Sequence, residues 1–142
     1  MYFYTNSEKE TEKIGYELAK KLDTDGTEQA FIALRGEMGV GKTAFVRGFA
    51  SYFEISGVRS PTYTVVNEYS SEKGRIYHFD MYRIESEDDL YSIGFDDYVS
   101  SRGFCIAEWS ENVTEFLPEG TLFITISRSP EGEEKRTIYM ED

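Results

Sequence analysis

Residues 29–53, QAFIALRGEMGVGKTAFVRGFASYF, decide the fold. Gln29 to Arg35 holds an uninterrupted apolar run, Ala30 to Leu34, closed by a base, the pattern of a strand buried on both faces. Gly36 follows at once, and Gly36-Glu37-Met38-Gly39-Val40-Gly41-Lys42-Thr43 carries the spacing of a Walker A phosphate loop. Thr43 to Phe53 then reads as a helix, so strand, glycine loop and helix stand in the order such a loop requires. Backbone N–H groups converge on a polyphosphate only where side chains do not obstruct them, hence Gly36, Gly39 and Gly41. Lys42 brings a mobile charge for the β and γ oxygens, Thr43 a hydroxyl for magnesium, and Ala44 continues the helix whose positive end faces the anion. The expected ligand is therefore a nucleoside triphosphate with Mg2+, and the absence of an Asn-Lys-x-Asp or Thr-Lys-x-Asp guanine-reading segment favours ATP and ADP.

The rest of the chain limits what such a site can do. Its 142 residues are one domain's worth, so residues 1–142 are expected to form one phosphate-loop domain. Hydrophobic residues make up 39% and aromatics 15%, enough for a real core. The formal net charge of −12 disfavours broad contact with nucleic acid, and the nucleotide site must create its own positive field. The lone Cys105 excludes an internal disulfide. Neither a membrane-spanning run nor a signal peptide is recognisable, which makes the cytoplasm the expected compartment and a membrane no partner.

Working outward, Met1 to Thr5 reads as a strand. Ser7 with Glu10 forms a capping box, and Ile14, Leu18 and Leu22 recur at helical spacing. Thr62 to Tyr69 and Arg75 to Tyr82 read as strands joined by a short turn. Ser86 opens a short acidic helix, Gly103 to Glu108 is an apolar strand, Leu117 and Pro118 close a helical turn, and Thr121–Arg128 with Lys135–Met140 form a terminal hairpin. The expectation is an α/β fold of the phosphate-loop NTPase type. Its mixed central sheet has about six or seven strands, with the Gln29 and Gly103 strands as parallel central neighbours and helices outside.

Hydrolysis needs a second magnesium contact, a γ-phosphate sensor and a group that orients water. Asp80 and Glu108 each end an apolar strand, where open α/β sheets gather ligands, and either fits the Walker B acid. Thr62, in Ser60-Pro61-Thr62, suits a switch segment; the plain alternative is a Ser-Pro turn opening a strand. Trp109 either packs or covers the nucleotide. His78, the single histidine, reads as a partly buried strand residue. The acidic segment from Glu85 to Asp89, with Asp96 and Asp97, is a solvated face or the contact for a basic partner.

Taken in order, GEMGVGKT, SPTYTVVNEY, YHFDMYR, GFDDY and AEWSE closely resemble the bacterial TsaE (YjeE) ATPases over nearly the whole chain. The resemblance implies an ATPase that supports synthesis of threonylcarbamoyladenosine beside the tRNA anticodon. It implies action with the TsaD and TsaB proteins, weak turnover alone, and tRNA reached only through that complex. Matched by motif, Lys42 and Thr43 are the Walker A pair, and Thr62 belongs to the switch-like segment. Lys42, Thr62, Asp80 and Glu108 are implied catalytic residues, with Thr43, Asp80 and Glu108 as the metal set. Thr11 and Trp109 join the loop as nucleotide contacts. A small phosphate-loop kinase and a nucleotide-dependent binding module with little hydrolysis remain the alternatives. A GTPase fits less well, since no Asn-Lys-x-Asp or Thr-Lys-x-Asp segment is present.

Overall fold

A computed structural model describes residues 1–141. The strands are β1 (Tyr2–Thr5), β2 (Gln29–Arg35), β3 (Val66–Ser70), β4 (Arg75–Asp80), β5 (Gly103–Glu108), β6 (Leu122–Arg128) and β7 (Arg136–Met140). The helices are α1 (Glu8–Thr24), α2 (Lys42–Tyr52), α3 (Glu87–Ser92) and α4 (Phe95–Ser100), with a 3-10 helix over Glu111–Phe116. All seven strands form one sheet in the order β1-β7-β6-β2-β5-β4-β3. β2 pairs in parallel with both β5 and β6, and β4 in parallel with β5. The antiparallel pairs β3–β4, β6–β7 and β1–β7 make the sheet mixed, as expected.

Both faces of the sheet are covered, which explains why Ala30 to Leu34 of β2 and Phe104 to Ala107 of β5 are apolar without alternation. On one face, Ile32, Leu34, Ile76, Phe104 and Ile106 meet Phe45, Phe49 and Phe53 of α2 and its cap, and Leu18 and Ala19 of α1 join the same core. On the other, Phe31, Tyr77, Phe79 and Cys105 pack with Leu90 of α3 and Phe95 of α4. α1 and α2 lie so close that a Cβ on Gly48 would stand 1.8 Å from the Glu12 carbonyl oxygen, and one on Gly15 2.2 Å from that of Phe45. The same pair is tied by Arg47, whose Nε donates to Glu12 at 2.7 Å and whose Nη2 donates to Glu8. Ser7 caps α1 by accepting from the Glu10 amide, while Glu10 accepts from the Asn6 amide, close to the reciprocal pattern read from the sequence.

Two local expectations are corrected and one helix is added. Thr62 to Val65 is not strand: the Pro61 carbonyl accepts from the Thr64 and Val65 amides, and Val65 sits at φ 69°, so β3 starts only at Val66. β4 ends at Asp80 because Asp80 Oδ1 accepts from the Tyr82 amide and turns the chain away. α4 had no counterpart in the sequence reading. Its six residues are held by the buried Phe95 behind a left-handed Gly94, while its first turn is acidic. No helix among the described residues is long and apolar enough to cross a membrane.

Candidate nucleotide site

The loop Gly36–Gly41 bridges the end of β2 and the start of α2. Gly41 caps α2 at φ 115° and offers no side-chain acceptor, so the first amides of the helix keep their donors for an anion. Gly36 is required by close approach: a Cβ there would stand 2.5 Å from the Ile126 carbonyl oxygen of β6. Val40 is buried and plugs the loop onto the core. The loop is also held from the C-terminal hairpin. Arg136 Nε donates to the Val40 carbonyl at 2.8 Å, and Arg128 donates to the Met38 carbonyl at 3.2 Å and to Glu37 at 3.0 Å.

The parallel register delivers the acids. Asp80 of β4 stands opposite Glu108 of β5, and Leu34 of β2 is the residue across from Glu108 on the other side. Both carboxylates therefore leave the sheet on the face where α2 begins. A cavity of about 830 Å³ opens there, lined by Gly39 to Ala44, Thr11, Thr62, Asp80, Glu108 and Trp109 among others. The structure thus brings together Thr11, Met38, Gly39, Val40, Gly41, Lys42, Thr43, Ala44, Thr62, Asp80, Glu108 and Trp109. Gly36 and Glu37 lie outside the lining: Gly36 is turned against β6, and Glu37 faces Arg128.

Lys42 is almost wholly buried. Its Nζ donates to the Gly36 carbonyl at 2.7 Å and lies 3.6 Å from the centre of the Trp109 ring. An ammonium has three donors, so two are left for phosphate oxygens. Burial pushes its pKa below the ordinary lysine value, while Glu108, Glu111 and Asp80 pull it back up. Trp109 adopts φ 59°, uncommon for a bulky residue, and Tyr82 stacks edge-on to its ring at 5.6 Å. That kink turns the indole from the strand end over Lys42. Thr62 lies in the turn already described, where its Oγ1 is 2.7 Å from Ser60 Oγ. The Asp80 amide donates to the Val65 carbonyl at 2.8 Å, which joins this turn to the end of β4. Thr11 is buried, shares a 2.9 Å hydrogen bond with Thr5, and its methyl faces Gly41.

Among the described residues no group of three His, Cys, Asp or Glu side chains surrounds a single point. Thr43, Asp80 and Glu108 provide oxygen only, which fits Mg2+: that ion prefers oxygen and fills its shell with waters and substrate phosphates beside one or two carboxylates.

Residues 5–138 match the model of the family described as threonylcarbamoyl adenosine biosynthesis protein TsaE. The chain belongs to the TsaE family. Proteins named tRNA threonylcarbamoyladenosine biosynthesis protein TsaE are 39% identical over 108 residues in Bacillus subtilis and 38% over 116 in Haemophilus influenzae. These alignments cover 75% and 80% of this chain, and 66% and 73% of the relatives. The chain thus spans just under two thirds of the Bacillus relative. The crystal structure of Bacillus subtilis YdiB superposes with a TM-score of 0.78 at 30% identity, covering 97% of this chain and 82% of that one.

Arg136, in a hairpin that matches the family only loosely, braces the loop of this TsaE-family site and lines the cavity. Other residues escaped the sequence reading. Arg128 braces the loop from the same hairpin; as a base in an acidic tail it carried a signal that spacing alone did not interpret. Arg47, Tyr82 and Arg83 also line the cavity. His78 is not partly buried but wholly so, and it contacts Glu108.

Proposed function

We propose that this chain binds ATP with magnesium and hydrolyses it in support of threonylcarbamoyladenosine formation in tRNA, together with the TsaD–TsaB pair. The observation that carries this reading is the meeting of Lys42, Thr43, Asp80 and Glu108 on one cavity at the ends of β2, β4 and β5. The loop amides and the start of α2 hold the phosphates, and Lys42 neutralises the β and γ oxygens. Thr43, Asp80 and Glu108 are the residues that would hold the metal. When bound, magnesium supplies charge neutralisation on the phosphates at the transition state. Glu108 orients the attacking water, and Thr62 senses the γ-phosphate from a turn hydrogen-bonded to β4. Trp109 covers Lys42 and excludes water from its charge. Thr11 approaches the nucleotide beside Gly41.

Family membership supports the pathway and the partners. The acidic surface supports tRNA contact through a complex rather than by this chain alone. The kinase alternative is weakened by the arginines after β5: Arg128 and Arg136 are engaged on the phosphate loop, so they do not form a free closing lid. The cytoplasm suits this role.

Competition of unlabelled ATP and GTP against labelled ATP tests the base choice, with ATP expected to win. Phosphate release without any acceptor, increased by the TsaD–TsaB pair, is expected of the ATPase. Equal displacement by GTP would overturn the adenine assignment, and transfer to an acceptor with no free phosphate would restore the kinase.

A further inference from the structure

His78 lies in the middle of β4 with no exposed surface, between Ile76 and Asp80 on the face that carries the nucleotide cavity. Its Nε2 is 2.5 Å from Glu108 Oε2, while its Nδ1 is buried without a hydrogen-bond partner among the described residues. A core position of this kind is ordinarily filled by a branched aliphatic residue, and an orphaned ring nitrogen there is costly. The histidine is explained if its Nε2–H is needed as the donor to Glu108. Donation from Nε2–H gives the carboxylate its hydrogen bond from within the core. Glu108 itself is nearly buried, is tied through its backbone carbonyl to the Met81 amide, and lines the cavity. With Oε2 engaged from behind, the other oxygen is the one available to the cavity, and the side chain has one preferred orientation.

We infer that His78 is the positioning residue for Glu108: through the Nε2–H to Oε2 hydrogen bond it aims the remaining carboxylate oxygen at the nucleotide site. This rests on the reading of Glu108 as a group used in hydrolysis. His78 touches neither nucleotide nor water in this role, so it acts on turnover and not on ATP affinity. Removing such a supporting partner typically lowers activity about 10- to 100-fold.

The test uses the full chain with the TsaD–TsaB pair and the variants H78L, H78Q, H78N, E108Q and H78L/E108Q. Turnover is measured by phosphate release, ATP affinity by calorimetry, and folding by thermal melting. The Gln amide nitrogen reaches the Nε2 position, whereas that of Asn stops at Nδ1. H78L and H78N are expected to lose turnover about 10- to 100-fold at unchanged ATP affinity, and H78Q to recover most of it. Adding H78L to E108Q should cost nothing further, because His78 acts only through the Glu108 carboxylate. A purely structural histidine would instead lower affinity and turnover together in step with the melting temperature. If H78L does not fold, H78N decides. Full turnover in H78L or H78N beside an inactive E108Q overturns the inference and leaves the role of Glu108 standing; additive losses in the double variant also overturn it. Full turnover in E108Q removes the reading beneath it.

Discussion

Lys42 is placed between opposing demands. Burial disfavours its charge, yet the face of the Trp109 ring, the Gly36 carbonyl and the carboxylates of Glu108, Glu111 and Asp80 favour it. The balance lies on the side of burial, so the free protein loses this proton at a lower pH than an ordinary lysine does. Phosphate binding requires the charged form. ATP affinity is therefore present below the lowered pKa and declines as pH rises through it, before solvent lysines titrate. Calorimetric titrations at increasing alkaline pH should show that early decline. Lys42→Ala should abolish the pH dependence and weaken ATP by roughly 1.5–3 kcal/mol, the worth of a hydrogen bond to a charged group. A variant with wild-type affinity would remove Lys42 from the site. At this scale the sequence was readable where a residue's placement follows from local spacing, as for Gly41, Lys42 and Thr43 at the strand-to-helix loop. It was not readable where the role depends on a strand neighbour. Nothing in IYHFD announces that His78 will meet Glu108, because the two are brought together only by the β4–β5 register.

At the scale of elements, the site depends on how closely α1 approaches α2, since α1 carries Thr11 and α2 carries Lys42 and Thr43. Gly48 makes that approach possible. Gly48→Ala places a methyl group against the Glu12 carbonyl, where only a backbone shift can make room. The expected cost is about 3 kcal/mol, at the upper end for overpacking. Chemical denaturation checks it, and an unchanged midpoint would mean that the helices are not so tightly apposed. The long apolar runs of β2 and β5 were legible, down to their parallel pairing, because a strand buried on both faces has no other pattern. The segment from Thr62 to Val65 was misread for a physical reason. Its Thr and Val residues favour strand, but Pro61 initiates a turn whose amides return to its own carbonyl, and Val65 is held at positive φ. α4 was missed because packing of Phe95, not helix propensity, holds its six residues.

On the scale of the whole molecule, Cys105 serves as an internal reporter. It lies in β5 at the centre of the sheet, and burial pushes its thiol up to about 12. At pH 8 the folded protein should react with an alkylating reagent only through unfolding. ATP, by binding the folded state, should slow labelling further, by a factor of about 1 + [ATP]/Kd. Labelling that is rapid and indifferent to ATP would show that the sheet opens locally or that ATP does not bind. The surface charge of −12 adds a second global feature, since it favours action on a protein assembly over direct contact with tRNA.

The cavity at the strand ends is proposed to hydrolyse ATP through Glu108. Binding and turnover by the Glu108→Gln variant, measured side by side in the presence of the TsaD–TsaB pair, test it most directly. Neutralising the carboxylate leaves the loop amides, Gly41 and Lys42 in place, so ATP affinity should hold while stimulated phosphate release falls by about 100-fold or more, the scale of losing one electrostatic device at a charged transition state. Full stimulated turnover by Glu108→Gln, at unchanged ATP affinity, would contradict the account.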